Sequence, residues 1–281
     1  MNTLKNPSSL IEAHTLYLTH IKGYSHNTAE SYERDIKDFA KWLKARNANA
    51  RWSTVTREDV DDYCIHLSND FCKGSTINRR LSAISSLYRF FQRQGLTTTN
   101  PTKYESRHKI AHTEPNTIRV CDLEKAIEAA DAETALALTL LYQTGCRAEE
   151  LLNMKTTDID YQTGAIQITG KGSKQRTVFV LPQAVEMLAS WMQGGSGKIF
   201  TYNDTRALRH AVHRALEPFS QAPQLSPHAI RHTFATTMVN NGMNTLTLAR
   251  LLGHNDVRTT QKYVNMNGIH TGEQYKQAMT N

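Results

Sequence analysis

The 281-residue chain is long enough for about two domains of roughly 150 residues, each able to bury its own core. With 39% apolar and 21% charged residues, 14 glycines and 7 prolines, the composition excludes disordered and fibrous classes, and no apolar stretch approaches the roughly 18 residues of a membrane span. A net charge of +7 and a pI of about 9.2 favour an anionic partner such as nucleic acid.

Cys64, Cys72, Cys121 and Cys146 contain no CxxC pair, and none has zinc-ligand spacing from a pair of histidines. Neither a disulfide frame nor a structural zinc is expected, and a reduced, cytoplasmic setting fits. The opening residues have no apolar core of a secretion signal.

Apolar residues recur at helical spacing from residue 9 to about residue 94. Leu10, Leu16 (or Tyr17) and Ile21 mark one helix; Ala29, Tyr32, Ile36, Phe39 and Leu43 mark a second, capped by Ser25 or Asn27. A third starts at Thr56, whose side chain can accept from the Asp59 amide, and carries Val60, Tyr63 and Leu67. The fourth begins near Ser75 or Thr76 and carries Ile77, Leu81, Ile84, Leu87 (or Tyr88) and Phe91. Together they predict a four-helix bundle over residues 1–100.

Residues 71–104 hold Lys73, Arg79, Arg80, Arg89, Arg93 and Lys103 and no acid. This one-signed surface is either a solvated helix face or a helix lying against phosphates. Residues 101–116, with two prolines and no periodicity, read as a linker to a second domain at 117–281.

In that second domain helical signals cover 123–130 and 134–142. Ile166, Ile168, Val178 and Val180 then alternate with polar residues around a Gly-rich turn at 169–174, which predicts a β-hairpin. Helical spacing resumes at 183–192, 205–215, 227–240 and 245–252, with Asn241-Gly242 and Gly253 as stops. The expected class is mainly α, with one small antiparallel sheet in the second domain.

Four short segments carry residue types suited to phosphate chemistry. Arg147 follows a glycine turn at the start of a helix, where its guanidinium can chelate two phosphate oxygens while Glu150, three residues on, holds it; an ordinary surface pair is the plain alternative. Lys171 sits on the hairpin tip in Gly170-Lys171-Gly172-Ser173-Lys174, where it can reach into a groove. His228 and Arg231, three apart in His228-Ala229-Ile230-Arg231-His232, share a helix face and can meet one anion. Leu252-Gly253-His254 is followed nine residues later by Tyr263. Neither HExxH nor HUH metal patterns are present, so no metal is expected.

In this order the segments closely resemble the catalytic motifs of the tyrosine recombinases, the phage integrase family, and are most similar to Xer-type and transposon-resolving members. The matching order is TGxR, GKGxKxR, HxxRH, LGH, then a tyrosine nine residues beyond that histidine. The resemblance covers nearly the whole chain, because Ser25-His26-Asn27-Thr28, Tyr32, Asp35 and Phe39-Ala40-Lys41-Trp42-Leu43 are similar to that family's core-binding, SAM-like domain.

The resemblance implies that Arg147, Lys171, His228, Arg231, His254 and the nucleophile Tyr263 form the catalytic set, with Glu150 supporting and His232 structural. Cys146 departs from the apolar residue often found there. Two permanently cationic arginines would bind the non-bridging phosphate oxygens, His254 would donate a further hydrogen bond, His228 would take the phenol proton and Lys171 would return one to the leaving oxygen.

No cofactor is implied. The implied partners are double-stranded DNA with inverted core-binding sites, contacted by Lys73, Arg79, Arg80, Arg89 and Arg93, and further copies of the chain in a synaptic tetramer. The 18 residues after Tyr263, with Ile269, Tyr275 and Met279, would form the short amphipathic helix that docks on a neighbour or folds back on its own core. A first helix within about ten residues of the start favours a simple core-site resolvase over a phage integrase with an arm-binding domain. The alternatives are a type IB topoisomerase-like nicking-closing enzyme and a site-specific DNA-binding protein that does not cut.

Overall fold

A computed structural model of the chain describes residues 7–103, 115–170, 174–192, 197–254, 256 and 258–264. Most of the expected 101–116 linker, Lys171 and the tail with Ile269, Tyr275 and Met279 lie outside these residues. The chain divides into two compact units, Met1–His112 and Thr113–Asn281.

The first unit holds four α-helices: α1 (Pro7–Leu16), α2 (His26–Arg46), α3 (Arg57–Asn69) and α4 (Gly74–Arg93). Its core joins Ile36, Phe39 and Leu43 of α2 to Val60, Tyr63 and Leu67 of α3 and to Ile77, Leu81, Ile84, Leu87, Tyr88 and Phe91 of α4. Thr56 caps α3 as expected: its Oγ accepts the Asp59 N–H at 3.2 Å, while Asp59 accepts the Thr56 N–H at 2.9 Å.

The first helix departs from expectation. A turn of π-helix, Tyr17–Ile21, with wider i→i+5 bonding, follows α1. Leu10, Ile11, His14 and Leu18 point inward and Tyr17, the alternative to Leu16, packs against the core, whereas Leu16 and Ile21 are 58% and 65% exposed. His14 is fully buried with Nε2 3.0 Å from Ser86 Oγ, and burial pulls its pKa down to about 4, so the ring stays neutral.

The second unit is built around α6 (Ala132–Thr144), which is buried along most of its length from Thr134 to Leu141. Around it pack α5 (Val120–Ala129), α8 (Pro182–Met192), α9 (Thr205–Leu216) and α10 (Pro227–Asn240), with the short α7 (Ala148–Leu152), α11 (Thr245–Leu252) and α12 (Arg258–Val264). The hairpin is present as β2 (Ala165–Thr169) and β3 (Gln175–Phe179), and a two-residue strand, β1 (Ile159–Asp160), extends it into a three-stranded antiparallel sheet in the order β1-β2-β3.

The β2–β3 register pairs Ile166 with Val178 and Ile168 with Arg176. Because side chains alternate along a strand, Arg176 shares the inward face with Val178, so this face carries a guanidinium next to its apolar residues. Among the described residues no helix is long and apolar enough to cross a membrane, and all four cysteines are free thiols.

Candidate active site

Helix α6 ends at Gly145, whose left-handed φ of 58° turns the chain sharply into α7. Only glycine fits here, since a Cβ would fall 2.3 Å from Phe234 Cδ1. Arg147 stands at the N-cap of α7, and Glu150, one turn on, folds back beneath it. Oε2 accepts the Arg147 backbone N–H at 2.8 Å, and Oε1 accepts Arg147 Nη1 at 2.9 Å. The Arg147 side chain is 45% exposed, so the charge held by Glu150 faces solvent.

Glu150 is itself buried and receives a second guanidinium. Arg176 Nη1 donates to Oε1 at 3.0 Å and Nη2 to Oε2 at 2.6 Å. Burial pushes this carboxyl up, but the Arg176 hydrogen bonds, the Arg147 amide and both positive charges outweigh it and hold the pKa at about 2. Glu150 is therefore an anion throughout the physiological range. The expected Arg147–Glu150 pair is in place, with a third member to which the motifs assign no role.

Arg231 lies in the middle of α10, 3% exposed. Nη1 donates to the Gly145 carbonyl at 2.5 Å and Nη2 to the Leu252 carbonyl at 2.7 Å, so the last peptides of α6 and α11 together fix its plane. Burial, and then the charge of Arg147, lower its pKa to about 10, which still leaves it cationic at neutral pH.

Nη2 also lies 3.0 Å from His254 Nε2. An arginine has no acceptor, so His254 accepts there and its Nδ1–H donates to Thr260 Oγ at 2.8 Å. In this arrangement His254 donates to a phosphate only after gaining a proton or switching tautomer.

Tyr263, on α12, is 1% exposed and packs with Phe234, Ala235, Val239, Leu248 and Leu252. Its Oη lies 2.6 Å from His232 Nδ1. Burial raises the phenol pKa to about 12, with the Arg231 charge pulling the other way. The imidazole in hydrogen-bond contact with the phenol in this arrangement is that of His232. His228, exposed in the first turn of α10, packs edge-on against His232 with ring centroids 4.2 Å apart.

Of the six expected catalytic residues, Arg147, His228, Arg231, His254 and Tyr263 lie on α10 or on elements tied to it by these bonds. Lys171 is outside the described residues, although the hairpin stem that carries it closes through Gly170 N–H to the Lys174 carbonyl at 2.8 Å. Arg176 and Thr260 were not anticipated. The signal for Arg176 was present, as the last letter of GKGxKxR and as a polar residue in step with Val178 and Val180.

In the first unit, α2 answers part of the one-signed α4 surface. Arg79 pairs with buried Asp35 and donates to Ser31 Oγ at 2.9 Å. Arg80 donates to the Tyr63 hydroxyl at 2.8 Å and lies 3.3 Å from Asp38. Arg93 lies over the Tyr17 ring, 5.5 Å from its centroid. Lys73 stands at the N-cap of α4, and Arg89 lines a polar recess of about 510 Å³ with Ser85, Gln92, Asn100 and Lys103.

Two family models match: the phage integrase family over residues 116–269 and the phage integrase N-terminal SAM-like domain over residues 11–95. Among curated relatives, tyrosine recombinase XerC of Listeria innocua is 30% identical over 92% of this chain and 93% of its own length. XerC of Lactobacillus delbrueckii is 27% identical over 96% and 98%, and XerD of Rhizobium meliloti 29% over 92% and 91%.

In fold, the chain is similar to the Tn1549 transposon integrase in complex with transposon right end DNA, with a TM-score of 0.78 at 15% identity over 97% of this chain and 99% of that one. It is also similar to the site-specific recombinase XerH bound to its substrate, with a TM-score of 0.73 at 19% identity over 96% and 84%. The two matched regions bracket the bundle and the arginine pocket, and the chain belongs to the phage integrase family, the tyrosine recombinases.

Proposed function

We propose that the protein binds duplex DNA at core sites and exchanges strands between two of them, with Tyr263 as nucleophile. The observation that carries this reading is the pocket itself: Arg147 on Glu150, and Arg231 on two helix-end carbonyls with His254 beside it. The two guanidinium groups are fixed donors suited to a phosphate that gains negative charge in the transition state, and His254 joins them once it gains a proton or switches tautomer. Tyr263 Oη attacks the phosphorus and forms a phosphotyrosine bond to the 3′ end, and the bond to the 5′ oxygen breaks.

The phenol proton passes to an imidazole, His232 being the one in contact and His228 the one next to it. Lys171 protonates the departing 5′ oxygen. Attack by a 5′-hydroxyl of another strand reverses each step without an external energy source. Because Tyr263 is 1% exposed, α12 has to shift before its oxygen can meet a phosphate held by the arginines.

Residues 1–100 and 117–281 would both contact the duplex, with 101–116 as connection, and four protomers would assemble across two core sites through the tail after Tyr263. The direct test is a duplex nicked close to the cleavage position, so that the released fragment diffuses away. A covalent protein–DNA band stable to denaturant is expected, and its absence on every duplex drawn from the source genome would end the proposal.

Phosphate contacts should dominate binding. Lys73→Ala and Arg89→Ala are each expected to lower the slope of log Kd against log salt by about 1 on nonspecific duplex. Arg79→Ala and Arg80→Ala act first on the fold. Each strips a donor from buried Asp35 or from Tyr63, at about 1–3 kcal/mol, read as a lower unfolding midpoint in urea.

A further inference from the structure

We propose that Arg176 is a positioning residue for strand cleavage: a single guanidinium locks the carboxylate behind Arg147, the hairpin that leads to Lys171 and the end of α11 that orients Arg231. The inference rests on the cleavage chemistry proposed above. It assigns a role to a residue that does not belong to the expected catalytic set.

All three guanidinium nitrogens are engaged. Nη1 and Nη2 meet the two Glu150 oxygens at 3.0 and 2.6 Å, and Nε donates to the Leu251 carbonyl at 2.7 Å. Glu150 therefore accepts four hydrogen bonds, two from Arg147 and two from Arg176, which fills its acceptor sites. Such a carboxylate has no freedom to turn, and neither has the Arg147 guanidinium that rests on it.

The neighbouring residue of Leu251 is Leu252, whose carbonyl accepts from Arg231. One peptide thus separates the carbonyl held by Arg176 from the carbonyl that aims Arg231. The backbone is shaped to this guanidinium on two sides. A Cβ on Gly253 would fall 2.9 Å from Arg176 Nη1, and one on Gly170 would fall 3.3 Å from Glu150 Oε1 and 3.6 Å from Arg176 Nη1. Gly170 is the residue before Lys171, so the hairpin tip starts from this same ion pair.

With a side chain only 11% exposed, Arg176 is spent on protein groups and does not reach DNA. Its effect should therefore appear in the cleavage rate and not in affinity. Lysine is no substitute, because an ammonium cannot meet two carboxylate oxygens and a carbonyl in one plane.

The test uses single-turnover cleavage of the nicked duplex by the full-length protein, with DNA affinity and folded fraction measured alongside. Arg176→Lys is expected to slow adduct formation about 10- to 100-fold with Kd unchanged within threefold. Arg176→Met should go further. Without its main partner the buried Glu150 carboxyl rises from about 2, so the rate of Arg176→Met relative to that of the parent protein should fall further as the pH is lowered. Glu150→Gln in the Arg176→Met background should abolish that fall.

Either variant cleaving at the parent rate, or slowing only in proportion to lost folded protein or lost affinity, would overturn the proposal, as would an unchanged pH profile for Arg176→Met. Failure of the parent protein itself to form an adduct would instead count against the cleavage reading.

Discussion

Tyr263→Phe is expected to form no covalent adduct on a nicked duplex, at any pH or time, while binding that duplex with the affinity of the parent protein. The phenol oxygen is the only atom removed, and it is buried against His232, so no DNA contact of the resting protein is lost. The fold should lose little: His232 Nδ1 is left without its partner, which costs about 1–3 kcal/mol, confined to the packing of α12 on α10.

In the proposed mechanism the same geometry keeps the resting tyrosine protonated. With its pKa raised to about 12, fewer than about one molecule in 10⁴ carries a phenolate at pH 7.5. Leaving the pocket removes the burial that raises the pKa and brings the oxygen toward two guanidinium groups that lower it. In the proposed mechanism the step that exposes the phenol is thus also the step that activates it. A denaturant-stable adduct formed by Tyr263→Phe would show that another residue is the nucleophile.

What was legible in the sequence were features encoded locally. The caps at Thr56 and Gly253 and the alternation of Ile166, Ile168 and Val178 each depend on residues a few positions apart, and each appears where its spacing places it. What was not legible depends on partners far along the chain. The basic run of α4 contains no acid, yet Arg79 finds Asp35 44 residues away on α2. The π turn after α1 ends at Ile21, which is 65% exposed, and its change of hydrogen bonding is one that apolar spacing does not report.

The same holds within the site. Motif order placed His228, Arg231 and Tyr263 in one pocket, but a histidine at 228 and a histidine at 232 are one helical turn apart. Only the packing of α12 decides which of them meets the phenol. Arg176 was visible as a residue in step with the inward face of β3. Its partners, Glu150 and the Leu251 carbonyl, lie 26 and 75 positions away and could not be read from spacing.

Replacing Arg231 should separate the two arginines, which the motifs treat alike. Arg231→Ala is expected to lower adduct formation by at least about 10² to 10³, the usual loss when one preorganised donor to a charged transition state is removed. Because the guanidinium is 3% exposed and bonded to the Gly145 and Leu252 carbonyls, the substitution also leaves two buried acceptors without donors.

Together these should cost about 2–5 kcal/mol, on the order of 10 °C in Tm for a domain of this size. Arg147→Ala should lower the cleavage rate to a similar degree with a much smaller change in Tm, since its side chain is 45% exposed and Glu150 keeps Arg176. Arg231→Lys sharpens the comparison: it preserves the charge but cannot serve both carbonyls and His254 at once, so it should recover stability only in part and rate hardly at all. If Arg231→Lys cleaved within about tenfold of the parent, a point charge would suffice, and the two helix-end carbonyls would not be needed to aim a planar donor at the phosphate.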